Sequence, residues 1–87
     1  MTNIYILKLE ENRYYVGKSK DIDKRYIQHI LDDGSSWTQK FKPIEIIKVI
    51  NNCDSFEEDK QVKQLMSIYG IDNVRGGSYT KINLNFW

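Results

Sequence analysis

The chain has 87 residues, 40% hydrophobic, 13% aromatic and 29% charged, and its thirteen Lys and Arg against twelve Asp and Glu leave a net charge of +1. Composition of this kind excludes a disordered chain, and the length suggests one domain, residues 1–87, with a small core, because folding removes only about 60% of such a chain's surface from water. No apolar run approaches the roughly 20 residues that cross a bilayer, and the start lacks the marks of a secretion signal, so an intracellular protein with no membrane partner is expected.

Residues 3 to 10 and 13 to 18 are rich in Ile, Tyr, Leu and Val around "EN", which predicts a hairpin. Asp21 is placed to N-cap a helix over "DIDKRYIQHILDDG" that ends near Gly34. At about 100° per residue, Ile22, Tyr26, Ile27, Ile30 and Leu31 form its packed arc, with Arg25 and His29 side by side at one border. "PIEIIKVI", from Pro43 to Ile50, reads as a third strand, apolar enough on both faces to lie inside a sheet. "SFEEDKQVKQLMSIYG" reads as a second helix closed by Gly70. The order β-β-α-β-α describes a small mixed α/β (α+β) domain. Turn chemistry follows at Asp72-Asn73 and Gly76-Gly77.

Cys53 and His29 are each the only residue of their type, which rules out an internal disulfide and a four-ligand zinc cage. Lys18, Lys20, Lys24 and Arg25 cluster, with Lys40 and Lys42 later, so a basic side is compatible with the small net charge. Glu58 has two readings. With Ser55 it completes an S-x-x-E capping box, but it also falls in the arc of Val62, Leu65, Met66, Ile68 and Tyr69, where a carboxylate needs a partner or a metal. Tyr5 and Tyr15 are ordinary strand residues taken singly; they share a face of the hairpin only in one of the two possible registers. Gly17, inside a strand, predicts close approach by a backbone or a ligand.

Together these residues resemble the GIY-YIG nuclease domain. Asn3-Ile4-Tyr5 stands for its first signature element and Tyr15-Val16-Gly17 for its second; Lys18, Arg25 and His29 follow at the family's spacing, Glu58 matches its metal-binding glutamate and Asn73 its late asparagine. Asn3 departs from the glycine that opens the first element. The resemblance implies a three-stranded sheet flanked by helices and metal-assisted hydrolysis of a phosphodiester. It further implies one divalent ion, Mg²⁺ or Mn²⁺, on Glu58, with catalytic work by Tyr5, Tyr15, Lys18, Arg25 and His29 and structural support from Gly17 and Asn73. Tyr5 is the expected base toward water, its phenol ionised with help from Lys18; Tyr15 orients water or phosphate, Arg25 stabilises transition-state charge, and His29 bonds a phosphate oxygen or relays the Tyr5 proton. The implied substrate is DNA, with RNA left open, and selectivity beyond DNA structure calls for a protein partner or a homodimer. A non-cleaving nucleic-acid-binding module on the same fold is the alternative. A third reading is a small protein-interaction domain, with the terminal Phe86-Trp87 as an exposed anchor.

Overall fold

The structure, a computed structural model, describes residues 2–31 and 34–80. Phe86 and Trp87 lie outside the described residues. Alternation of apolar side chains over β1 (Thr2–Leu9) and β2 (Arg13–Ser19) produces the expected antiparallel hairpin, closed by a short turn at Glu10–Asn12. Glu11 and Asn12 both adopt positive φ there, and Glu10 ties the turn to Lys42 through its amide and its carboxylate.

The β-β-α-β-α order stands, and two short elements join it: α2 (Ser36–Lys40) and β4 (Val74–Gly76). Among the described residues the sheet therefore has four strands rather than three, in the order β3-β1-β2-β4, with β4 parallel to β2. β3 (Pro43–Cys53) was expected inside the sheet but takes its edge, with Ile44, Ile47 and Val49 exposed. β1 occupies the centre instead, hydrogen-bonded on both sides to antiparallel partners.

Each face of the sheet has its own core. Ile4, Ile6, Tyr14 and Val16 meet Val62 and Leu65 of α3 (Phe56–Tyr69), together with Val74. On the other face Tyr5, Leu7 and Leu9 meet Trp37 and Phe41, with Tyr15, Ile22 and Tyr26 packed beside them. Burying each such aliphatic side chain contributes about 1.5–3 kcal/mol.

Helix α1 (Ile22–Ile30) begins as expected, Asp21 accepting the Lys24 amide at 3.1 Å. Its orientation differs from the expectation. Ile27, Ile30 and Leu31 are exposed, while His29 is fully buried. The inward stripe is Ile22, Arg25, Tyr26 and His29, an i, i+3, i+4, i+7 set in which two polar side chains replace the expected apolar ones. The capping box of α3 is also absent: Ser55 makes no side-chain cap bond, and Asp54 accepts the Phe56 amide at 3.0 Å instead. Glu58 is thereby free for another role. Among the described residues no helix is long and apolar enough to cross a membrane.

Candidate active site

Register decides whether the two tyrosines meet. Tyr5 pairs with Gly17 and Leu7 with Tyr15, so both phenols rise from one face, and their ring centroids lie 6.3 Å apart. Gly17 is needed for this: a Cβ there would overlap the Cζ and hydroxyl of Tyr5. The close approach expected at this glycine is made by the Tyr5 ring, laid across the bare backbone.

Helix α1 delivers His29 and Arg25 to the same place. The Tyr5 hydroxyl and His29 Nε2 are 2.8 Å apart, and His29 Nδ1 lies 2.9 Å from Thr38 Oγ1 on α2. Both ring nitrogens are occupied in a fully buried side chain, which leaves neither turned to solvent. Arg25 is half-buried and donates to Gln28 at 2.9 Å.

Burial pushes the Tyr5 phenol well above its ordinary value, with Tyr15 adding to the rise and Arg25 opposing it. Tyr15 is also raised by burial, and Arg25 again opposes. The expected depression of Tyr5 by Lys18 is therefore overturned. Strand alternation puts Lys18 beside Ile4 on the opposite face, and the cation that acts on both phenols is Arg25. His29 is pushed down to about 4, first by burial and then by Arg25. The resting pair is a neutral phenol against a neutral imidazole.

Glu58 reaches the site from α3. Its side chain is only 12% exposed and its carboxylate is 3.9 Å from Lys18 Nζ, which is itself 51% exposed. Burial raises the Glu58 pKa, Lys18 opposes and Asp59 adds. Glu58 lies close enough to raise both phenols as well. Beyond Val16 no β4 residue pairs with β2, so among the described residues groups from the two faces approach around an open strand edge at Gly17 to Ser19. Lys18, Lys20 and Lys24 are exposed along this same end. A neighbouring cavity of about 470 Å³, lined by Thr2, Lys18, Cys53, Asp54 and Ser55, contains none of the phenols.

Two expected residues stand apart. Asn73 donates to the Tyr69 carbonyl at 2.6 Å, closing the far end of α3, roughly 17 Å along the helix from Glu58 at 1.5 Å per residue. Asn3 accepts the Asn52 amide at 3.1 Å, where Asn52 adopts positive φ at the end of β3, so the departure from glycine has a local structural use. Thr38 and Ser35 were not singled out from the sequence, and Gly34 only as the end of the first helix. Ser35 before a short polar helix was the available signal, and it accepts the Thr38 amide as an N-cap.

A metal would find one half-buried carboxylate here; among the described residues no group of three or more His, Cys, Asp or Glu gathers. That donor set fits Mg²⁺, which keeps several waters and needs one or two carboxylates when a phosphate supplies other oxygens.

Comparison with known proteins places the chain in a family. The profile of the GIY-YIG catalytic domain matches residues 1–65. A UPF0213 protein of Staphylococcus saprophyticus is 36% identical over 44 residues, covering 51% of this chain and 54% of its own length. A UPF0213 protein of Fusobacterium nucleatum is 36% identical over 52 residues, covering 60% and 51%, and one of Oceanobacillus iheyensis is 28% identical over 65 residues, covering 71% and 76%. The chain thus spans about half the length of the first two relatives. No solved structure matches. Tyr5, Tyr15, Gly17, Arg25, His29 and Glu58 all fall within the matched segment, and the chain belongs to the GIY-YIG family, whose domain is that of a nuclease.

Proposed function

We propose that this chain is a metal-dependent endonuclease that hydrolyses phosphodiester bonds in DNA, selecting by structure or only weakly by sequence. The observation that carries this reading is the Tyr5–His29 hydrogen bond, which gives one buried phenol a proton acceptor of its own. A phenol can act as a base toward water only after losing its proton, and at an ordinary pKa near 10 about one in a thousand is ionised at pH 7. The Tyr15 hydroxyl meets the Ser35 and Arg25 side chains and no imidazole, so Tyr5 is the base and Tyr15 orients the water or a phosphate oxygen. Tyr5 is 1% exposed, so the phenol works where charge is poorly screened and fixed dipoles act most strongly.

Arg25, already beside both phenols, stabilises the charge that gathers on phosphorus oxygens in the transition state. Glu58 would hold the divalent ion, Mg²⁺ or Mn²⁺; when bound, the ion supplies positive charge to the phosphate and the leaving oxygen. Lys18 is the carboxylate's present partner, and its half-exposed side chain leaves it open to a phosphate. Exposed Lys20 and Lys24 contribute the salt-sensitive attraction expected for a polyanion.

The test is incubation of the protein with branched, nicked and linear DNA, and with RNA, in Mg²⁺ or Mn²⁺. Cleavage that disappears in Glu58→Gln while the variant stays folded is expected. Binding without cleavage in the native protein would overturn the enzyme in favour of a nucleic-acid-binding module.

A further inference from the structure

His29 is held from both sides, and what holds its far nitrogen determines what the near one can do. A neutral imidazole has one N–H, and the nitrogen that carries it is set by the partners of the ring. Thr38 is fully buried, and its hydroxyl has a single proton, which it donates to the Ser35 carbonyl at 3.1 Å. Ser35 Oγ stands 3.2 Å from the same hydroxyl and accepts the Thr38 amide at 3.2 Å. When that proton turns to the Ser35 carbonyl, Thr38 Oγ1, 2.9 Å from Nδ1, accepts from the ring.

The ring proton then sits on Nδ1, and Nε2 keeps its lone pair toward the Tyr5 hydroxyl. Gly34 guards this arrangement. A Cβ at that position would overlap His29 Nδ1 and come within 2.7 Å of Thr38 Oγ1, on the hydrogen bond itself.

We propose that Thr38, anchored by Ser35 and covered by Gly34, is a positioning residue that fixes His29 in the Nδ1–H tautomer so that Nε2 receives the Tyr5 proton. The proposal rests on the nuclease reading above for its catalytic consequence, though not for the tautomer. In the step, the Tyr5 O–H bond breaks and an N–H bond forms at Nε2, leaving phenolate and imidazolium. The phenolate takes a proton from the attacking water as the water oxygen bonds to phosphorus. Tyr5 is then a neutral phenol again, and the imidazolium gives up its proton to solvent while the leaving oxygen takes one from solvent, so the cycle consumes one water and one phosphodiester bond and returns both side chains to their starting forms.

His29 is the only histidine of the chain, so long-range proton–nitrogen NMR spectra report this one ring without assignment by mutation. The native protein at neutral pH is expected to show Nδ1 as the protonated nitrogen and Nε2 as the unprotonated one. Thr38→Val removes the acceptor at nearly constant volume; it should move the proton to Nε2 in part or in full and slow cleavage by about 10- to 100-fold, the usual cost of losing an outer partner that orients a functional histidine. KM should stay constant, and Thr38→Ser should restore both tautomer and rate. A native ring protonated on Nε2 overturns the proposal without need of any variant, as does an unchanged tautomer in folded Thr38→Val. The expected spectra in a protein that cuts no nucleic acid would support the positioning role and overturn the nuclease reading alone.

Discussion

The two faces of the sheet are built from the same strands on different principles. Toward α3, Ile4, Ile6 and Val16 meet Val62, Leu65 and Val74, and the requirement is shape and apolarity. Toward α1 and α2, Tyr5, His29 and Thr38 form a buried polar line inside an otherwise apolar cluster. Each atom of that line needs a particular partner, because a buried polar group left alone costs about 1–3 kcal/mol. Strand alternation lets neighbouring residues serve stability and chemistry separately, and the two uses meet only around the open edge of β2, where Glu58 and Lys18 come from the first face.

The largest separation between the faces should appear in a pair of variants. Tyr5→Phe is expected to lower the cleavage rate by about 10²–10⁴-fold, the range for loss of a general base, against a stability loss of only about 1–3 kcal/mol from leaving buried His29 Nε2 without its partner. Ile6→Ala should do the reverse, costing about 2–5 kcal/mol of stability while the folded fraction keeps its rate. Denaturant titration and single-turnover rates on both proteins check this. If Tyr5→Phe stays fully active and Tyr15→Phe is dead, the two phenols exchange roles.

Gly17→Ala sharpens the contrast from the backbone side. Its Cβ must displace the Tyr5 ring, so stability should fall by about 1–3 kcal/mol, as for other overpacked sites, and activity should fall with it. A variant that lost stability but kept the rate would show that the placement of Tyr5 over the glycine does not matter to the chemistry.

A smaller effect concerns pH. His29 is held down at about 4 in the folded chain, below an ordinary value near 6.5. Its contribution to stability is therefore present above about pH 6.5 and lost as pH falls toward 4. Glu58 acts in the opposite sense, since its raised pKa means that stability is regained as its carboxylate protonates. The difference in denaturation midpoint between the native protein and His29→Gln isolates the first effect, and it should shrink or reverse as the solution is acidified.

Local signals in the sequence reached the hairpin, the Asp21 cap and the Gly70 stop, because each depends on residues a few positions apart. They did not reach the edge position of β3 or the pairing of Val74–Gly76 with β2, which are settled by contacts between distant segments. The same divide runs through the site. The family resemblance brought out the tyrosines, Arg25, His29 and Glu58, yet counting apolar residues around α1 put Ile27, Ile30 and Leu31 inward and His29 at the border. A histidine with both nitrogens satisfied can occupy the core in place of an isoleucine, and its partner Thr38 lies on a helix of five residues, too short to show periodicity.

The most direct measurement is the single-turnover cleavage rate of Tyr5→Phe, Glu58→Gln and the double variant on one DNA substrate. Groups that act on the same phosphate as a unit are strongly non-additive, so the double variant should be no slower than the slower single one. Losses that multiply would contradict a common site around the edge of β2.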